Sequence, residues 1–204
     1  RMMEAHLRPR RAYLLGWARA LARQGLAVLA ITQVAHPPRP EPWDWEWPKL
    51  LQLYGRTGIG RLVADVCSAV DYLRTLDRVA PERIGVAGFS LGGLAAFYSF
   101  AVDARLQAAA VFCGGVGSVA ELVRTGSPGF HSVYYYVPGL LSAGLDHPEL
   151  VPALAARPLL LCATDADAGM PLAGVERFAE RARSAYHAAA ASAAFELRVD
   201  PGPH

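Results

Sequence analysis

One serine stands between glycines at a position where a hydroxyl could act as a nucleophile. Ser90 is the centre of GFSLG, residues 88–92, which has the pattern G-x-S-x-G. An apolar run, residues 83–87, precedes it, and a small-residue run with helical character, residues 94–100, follows it. This context predicts a tight turn from strand to helix that exposes the serine on a strained backbone. We expect a side chain in place of either flanking glycine to collide with the neighbouring strand and helix. An ordinary glycine-bounded junction is the alternative, and the flanking runs favour a nucleophile.

A serine hydroxyl becomes a good nucleophile only when a base removes its proton. Behind such an elbow the partners follow in the chain order serine, acid, histidine. Of the six histidines, only His187 and His204 follow a plausible acid. His187 lies in a helical, alanine-rich run, which is typical of a solvated or packed side chain. His204 comes directly after the last predicted strand and a Pro-Gly-Pro turn, so we predict His204 as the base.

The acid is expected where the apolar run PLLLCAT, residues 158–164, ends. Asp165 and Asp167 both follow that run. Spacing favours Asp167, for which capping of the next helix is the alternative role. Asp165 is the second choice, and Asp146 is a more distant third.

The elements that must position these groups alternate between apolar runs and helical patterns. This alternation predicts an α/β fold with a mostly parallel sheet and helices on both faces. The predicted strands are residues 26–32, 83–87, 106–113, 158–164 and 195–199, and the predicted helices are residues 10–24, 60–76 and 172–190. We expect one domain over residues 1–204, with residues 114–157 as an irregular, cap-like insertion.

Composition narrows the class of protein. The chain has 204 residues, of which 53% are hydrophobic and 19% charged, as expected for a globular protein. A net charge of +2 gives no reason to expect a nucleic-acid partner. No run reaches the roughly 20 apolar residues of a membrane span, and no secretory signal is apparent, so we expect a cytoplasmic protein without a membrane partner. Three widely separated cysteines suggest neither a disulfide framework nor a metal site.

Four motifs follow one another along the chain: GFSLGG from residue 88, HSVYYYVPG from 131, RPLLLCATDADAGMP from 157 and VDPGPH from 199. In this order they resemble the elbow, mid-chain segment, acid loop and histidine loop of the dienelactone hydrolase and acetyl-esterase-like branch of the α/β-hydrolase superfamily. The resemblance extends from about residue 13 to residue 204. It implies that Asp167, the second aspartate of a loop similar to G-D-x-D-x-G-x-P, is the catalytic acid. Thr164 replaces the glycine of that loop, and the histidine loop is one residue shorter than in the family.

The resemblance also implies strands that we cannot find. Residues 26–32 would be the fourth strand of eight, and no sequence corresponds to the third strand, which should separate them from the elbow strand. The backbone N–H of Leu91 supplies one oxyanion donor, and the second should come from an early strand-exit loop that is missing here. Direct pairing of the two strands, or a strand from another chain, would close the gap. We expect instead that the sequence is a fragment that lacks N-terminal strands and a C-terminal helix.

Aromatic residues are candidates for the substrate pocket. Trp43, Trp45 and Trp47 alternate, so an extended segment would place them on one face. They could line an apolar pocket or form a flap packed on the core. Phe89 is next to the serine, and His131 with Tyr134 could form a second wall, although a tyrosine stripe is also typical of packing.

The predicted function is hydrolysis of a small carboxylic ester by Ser90, His204 and Asp167, without cofactor or metal. Thioesterases, peptidases, lactonases and acyltransferases use the same groups. A non-catalytic binding or scaffold protein is the alternative from another class, and a homo-oligomer is left open.

Overall fold

The computed structural model describes residues 16–33, 47–125, 129 and 131–204. Its strands are β1 (Gly85–Phe89), β2 (Ala108–Phe112), β3 (Leu159–Thr164) and β4 (Phe195–Asp200). Its helices are α1 (Trp17–Arg23), α2 (Trp47–Leu53), α3 (Gly58–Leu73), α4 (Leu91–Val102), α5 (Val119–Arg124), α6 (His147–Leu150) and α7 (Leu172–Ala188). Single turns of 3-10 helix lie at Pro81–Arg83, Val133–Tyr135, Leu141–Ala143, Val151–Ala153 and Ser192–Ala194.

The four strands form one parallel sheet in the order β1-β2-β3-β4. Phe89 at the end of β1 pairs with Phe112 at the end of β2. Thr164 at the end of β3 pairs with Asp200 at the end of β4. The predicted α/β fold with a parallel sheet is therefore confirmed. Because the strands are parallel, the loops that leave their carboxyl ends meet at one edge of the sheet.

The helices bury their apolar stripes against this sheet. Thr57 caps α3, since its Oγ1 accepts a hydrogen bond from the Gly60 N–H at 3.0 Å. The rings of Phe97 in α4 and Phe178 in α7 are both fully buried and lie 5.6 Å apart, so these two helices share a face of the sheet. None of the helices in the described ranges is long and apolar enough to cross a membrane.

Arg157 fastens the far end of α4. Its guanidinium donates to the carbonyl oxygens of Phe100 at 2.7 Å and Leu106 at 2.8 Å, and to that of Ala153 at 3.0 Å. The same group lies 4.0 Å above the Phe100 ring centroid. A cation at a helix C-terminus satisfies carbonyl groups that have no partner within the helix.

The prediction of a buried strand at residues 26–32 is wrong. Residues 26–33 are described, and none of them is in a strand. Four apolar side chains of this run expose 39–54% of their area: Leu26, Val28, Leu29 and Ile31. Together with β1 the run lines a cavity of about 340 Å³. A strand needs a hydrogen-bonded neighbour, and among the described residues β1 pairs with β2 alone.

The structure differs in detail from three further predictions. The helix predicted at residues 10–24 is α1, Trp17–Arg23, and its first part lies outside the described residues. Within the segment predicted as irregular, residues 114–157, the structure has α5 and α6. Helix α2 begins at Trp47, the last of the three tryptophans that we considered as part of an extended segment.

Candidate active site

The turn at Ser90 has the conformation that the glycine pattern predicts. Strand β1 ends at Phe89, and α4 begins at Leu91. Between them Ser90 has φ 54° and ψ −127°, a left-handed conformation that residues with a side chain rarely adopt. Its N–H donates to the carbonyl of Phe112 at 2.9 Å, which holds the turn against β2. The strained backbone therefore holds the hydroxyl at the carboxyl edge of the sheet.

Only one of the two flanking glycines is needed for space. A Cβ on Gly88 would lie 2.0 Å from the Gly92 carbonyl oxygen, which no side chain permits. A Cβ on Gly92 would be 3.7 Å from Gln33 Nε2, the nearest atom among the described residues, so the predicted collision at this position is wrong. Gly93 is the second position that must be small, because its Cβ would lie 2.9 Å from Gly114 Cα. Gly92 and Gly93 are consecutive in the sequence, and this pair was the signal that could have identified Gly93.

The structure brings Ser90, His204 and Asp167 into one hydrogen-bonded series. His204 Nε2 is 2.8 Å from Ser90 Oγ, and His204 Nδ1 is 2.9 Å from Asp167 Oδ2. Asp167 comes from the loop after β3, and His204 follows β4. With the carboxylate accepting from Nδ1–H, Nε2 is left as the acceptor for the serine proton.

The acid loop holds Asp167 through both carboxylate oxygens. Oδ1 accepts from the Gly169 N–H at 2.7 Å, while Oδ2 faces His204. The Asp167 side chain is only 4% exposed, so it meets the imidazole largely out of water. The second choice for the acid, Asp165, is exposed and accepts from the Gly202 N–H at 2.9 Å. Asp165 therefore ties the acid loop to the histidine loop and does not contact the imidazole.

The remaining candidates for acid and base lie elsewhere. Asp146 accepts hydrogen bonds from the Val119 and Ala120 N–H groups, at 2.7 and 3.0 Å, and so caps α5. These contacts lower the pKa of Asp146, against the opposing effect of burial. His187 is exposed near the end of α7.

His131 supports the acid loop from the side of the cavity. Its Nε2–H donates to the Gly169 carbonyl at 2.5 Å, and its ring stacks on Tyr135 with centroids 3.8 Å apart. Burial lowers the pKa of His131, which favours a neutral ring at pH 7. Sequence reasoning identified His131 only as a wall and missed this contact, which joins residues 38 positions apart.

A cavity of about 130 Å³ opens beside the serine. His131 and Tyr134 line it together with Ser90 and His204. Cys113 also lines it, with φ 44°, and was not among the predicted pocket residues. The site therefore has a compact aromatic wall on the side of the mid-chain segment.

The other predicted pocket residues are placed differently. The Phe89 ring contacts the His204 ring, with centroids 5.4 Å apart. Trp47 is 7% exposed within the hydrophobic core and is not among the residues that line the cavity beside Ser90, so for this residue the structure favours the alternative of core packing. Trp47 lies in the core because it begins a helix that packs against the core and does not continue an extended segment. Trp43 and Trp45 lie outside the described residues.

The Leu91 amide is available as an oxyanion donor. Leu91 is the first residue of α4, and the first N–H groups of a helix have no acceptor within it. The helix dipole adds a partial positive charge at the same end. The early loop expected to supply a second donor would precede the described residues.

Comparison with known proteins gives consistent matches. The sequence pattern of the dienelactone hydrolase family matches residues 20–191. The Bacillus subtilis (strain 168) protein YtaP, provisionally assigned as a hydrolase, is 31% identical over 166 residues, which are 81% of this chain and 55% of YtaP.

Solved structures share the fold. A Bacteroides fragilis NCTC 9343 protein, provisionally assigned as an acetyl xylan esterase, superposes with a TM-score of 0.75 at 18% identity, over 91% of this chain and 49% of that protein. A glucuronoyl esterase from Solibacter usitatus has a TM-score of 0.59 at 17% identity, over 72% of this chain and 44% of that enzyme. The chain thus spans about half the length of the relatives that it matches.

Proposed function

Because the chain belongs to the dienelactone hydrolase family, we propose that it is a serine hydrolase that cleaves carboxylic esters through an acyl-enzyme. The observation that carries the proposal is the unbroken series from Ser90 Oγ to His204 at 2.8 Å and on to Asp167 at 2.9 Å. These distances lie in the range required for proton transfer between a nucleophile and its base.

In the first half of the proposed reaction, Ser90 Oγ attacks the ester carbonyl carbon while its proton passes to His204 Nε2. The tetrahedral intermediate carries its negative charge on the former carbonyl oxygen, which the Leu91 N–H stabilises. Asp167 keeps the imidazole in the tautomer that accepts this proton and stabilises the imidazolium ion. The C–O bond to the alcohol then breaks, and His204 returns the proton to the leaving alkoxide.

In the second half, water replaces the alcohol. His204 takes a proton from the water as its oxygen attacks the acyl carbon, and then returns a proton to Ser90 Oγ as the carboxylic acid leaves. The proposed reaction uses these side chains, the Leu91 N–H and water, and it includes no redox step.

The cavity favours a small group beside the serine. About 130 Å³ is less than the 300–1,000 Å³ typical of pockets that enclose a drug-sized molecule. We therefore propose esters whose acyl group is narrow next to the carbonyl, as a short or unbranched chain is, with His131 and Tyr134 against it. Structural relatives are named esterases, which is compatible with this substrate class.

A fluorophosphonate probe and hydrolysis of p-nitrophenyl acetate test the proposal together. We expect the probe to label Ser90 and Ser90→Ala to lower kcat by about 10⁴-fold or more, because the nucleophile is lost. Ser68→Ala is the matched control, since its hydroxyl donates only to the Ala64 carbonyl within α3. A folded protein that neither reacts with the probe nor turns over the ester would favour the non-catalytic binding protein.

A further inference from the structure

A second cavity, of about 270 Å³, lies on the other side of Tyr135. Tyr135 lines both this cavity and the one that contains Ser90, and its hydroxyl donates to the Gly115 carbonyl. We call this second space the Tyr98 cavity. Its described lining is mainly apolar and aromatic and has no Asp, Glu, Lys or Arg, with Val119, Val123 and Leu140 among its members.

Two polar residues in the lining of the Tyr98 cavity, His147 and Tyr98, are held as a hydrogen-bonded pair. The Gly117 N–H donates to His147 Nδ1 at 3.3 Å, so Nδ1 carries a lone pair and the ring proton is on Nε2. His147 Nε2 is 3.0 Å from the Tyr98 hydroxyl oxygen, which must therefore accept that proton. Complete burial lowers the pKa of His147 to about 4, which keeps the ring neutral at pH 7.

This assignment determines what Tyr98 can offer. Because its oxygen accepts from His147, the Tyr98 O–H proton is directed to a different acceptor. Within the described part of the chain, no protein group accepts it. Tyr98 lines the cavity, and burial raises its pKa, so the hydroxyl is a donor at any physiological pH. The cavity thus combines mainly apolar walls with a preset hydrogen-bond donor at Tyr98, whereas the Ser142 hydroxyl in the same lining already donates to the Gly139 carbonyl at 3.0 Å.

Neighbouring charge does not alter this character. Asp146 is next to His147, but its carboxylate accepts from the Ser118 hydroxyl and from three backbone N–H groups, those of Val119, Ala120 and His147. A carboxylate with these donors has little capacity left to attract a cation into the cavity.

We propose that the Tyr98 cavity binds a neutral, mainly apolar group that carries one acceptor oxygen, such as a ketone. The volume suits a small molecule or the end of a longer one, since a cavity of about 150 Å³ already holds benzene. Two sources share this chemistry, a free small molecule and the distal end of an ester bound at Ser90. The second source rests on the proposed function. Tyr98 is eight residues beyond Ser90, about 12 Å along α4, so an extended chain of about nine carbons covers that distance.

The first arm of the test measures binding without catalysis. Binding of 2-heptanone to the Ser90→Ala protein is measured by calorimetry, with and without Tyr98→Phe. We expect about fivefold weaker binding after Tyr98→Phe, which removes one hydrogen bond. Tyr72→Phe is the control, because Tyr72 is 56% exposed on α3. Val123→Phe, at a half-exposed position of the lining, should fill the cavity and abolish binding.

The second arm identifies the source. Here kcat and KM are measured for p-nitrophenyl decanoate and p-nitrophenyl 9-oxodecanoate, which differ only in the ketone. If the substrate supplies the ligand, Tyr98→Phe raises KM about fivefold for the oxo-ester alone. If Tyr98→Phe weakens the binding of 2-heptanone but leaves the KM of both esters unchanged, the ligand is a free molecule, and the site proposal stands.

Identical 2-heptanone affinity with and without Tyr98→Phe, together with no difference between the two esters, would overturn the site. Failure of the proposed function gives a different result, in which p-nitrophenyl acetate is not hydrolysed at all while the 2-heptanone arm still decides the site.

Discussion

Side chains differ in burial and in contacts between the carboxyl edge of the sheet and the side of β1 that faces residues 26–33. At the carboxyl edge, the buried carboxylate of Asp167 is held by hydrogen bonds with the Gly169 N–H and with His204. Beside β1, apolar side chains such as Val28 and Ile31 remain 40% and 39% exposed around a cavity of about 340 Å³. The first region is assembled by short loops after adjacent strands, whereas the second would need another strand to cover it. The loops that directly follow the strands therefore position the candidate site, although the described residues leave the side of β1 partly uncovered.

The largest expected effect tests whether Asp167, and not its neighbour Asp165, is the carboxylate that His204 requires. Asp167→Asn should lower kcat for p-nitrophenyl acetate by about 10⁴-fold, because the amide cannot hold the imidazole in the required tautomer. Asp165→Asn is the matched control, two residues away in the same loop, and should cost less than about tenfold. Similar losses in the two variants would mean that the loop acts as a whole and that Asp167 has no separate role.

A second test concerns space at the turn. Gly88→Ala should lower the free energy of unfolding by about 3–4 kcal/mol, since its Cβ would overlap the Gly92 carbonyl oxygen. Gly92→Ala has room and lies in α4, where alanine is favoured over glycine by about 1 kcal/mol. Urea denaturation of both variants measures the difference. Equal stability of the two would contradict the described packing of β1 on α4.

The third test compares burial in the centre of the sheet with burial beside β1. Leu161→Ala in β3, where Leu161 is 2% exposed, should cost about 3 kcal/mol of unfolding free energy. Leu29→Ala, at 40% exposure, should cost less than about 1 kcal/mol. The measurement is again urea denaturation, with the slope checked for each variant. A cost at Leu29 equal to that at Leu161 would show that residues 26–33 are covered in solution.

The smallest effect concerns pH. The pKa of His147 is lowered to about 4 in the folded protein, against about 6.5 for an unperturbed histidine, so the unfolded chain binds the proton first. Stability from this group is complete above about pH 6.5 and is lost as the pH falls towards 4, by about 2 kcal/mol between pH 7 and pH 5.

Urea denaturation at several pH values should show that His147→Gln has a shallower acid loss than the unsubstituted protein. His187→Gln is the control on an exposed histidine and should keep the original dependence. If the stability of His147→Gln falls with pH as steeply as that of the unsubstituted protein, His147 is not the source of the acid loss.

Much of the site could be predicted because its information is local. The glycine pattern around Ser90 and the two strand-exit motifs each lie within a few residues of one strand end. Parallel strands bring such ends together, and chain order limited the acid to Asp165 or Asp167 behind the elbow. Spacing and the family resemblance then favoured Asp167, and the structure places it beside His204. The confirmed strands β2 to β4 are likewise short apolar runs between helical patterns.

What could not be predicted depends on contacts between distant parts of the chain. Residues 26–32 have the composition of a buried strand, but pairing requires a neighbour that no local pattern reveals. Trp47 alternates with two other tryptophans, yet helix α2 turns it into the core. The pair of Tyr98 and His147 joins residues 49 positions apart, and neither neighbourhood has a recognisable motif.

The position of Ser90, the proposed nucleophile, depends on both ends of α4. Ser90 precedes the first turn of α4, and the guanidinium of Arg157 fastens the last turn through the Phe100 carbonyl at 2.7 Å. A helix held at its C-terminus resists sliding along its own axis, so the depth at which the Ser90 hydroxyl lies is set partly from the opposite end of α4. In the proposed reaction, sequence change near Arg157 would therefore alter the alignment of Ser90 without altering any group that takes part in the chemistry.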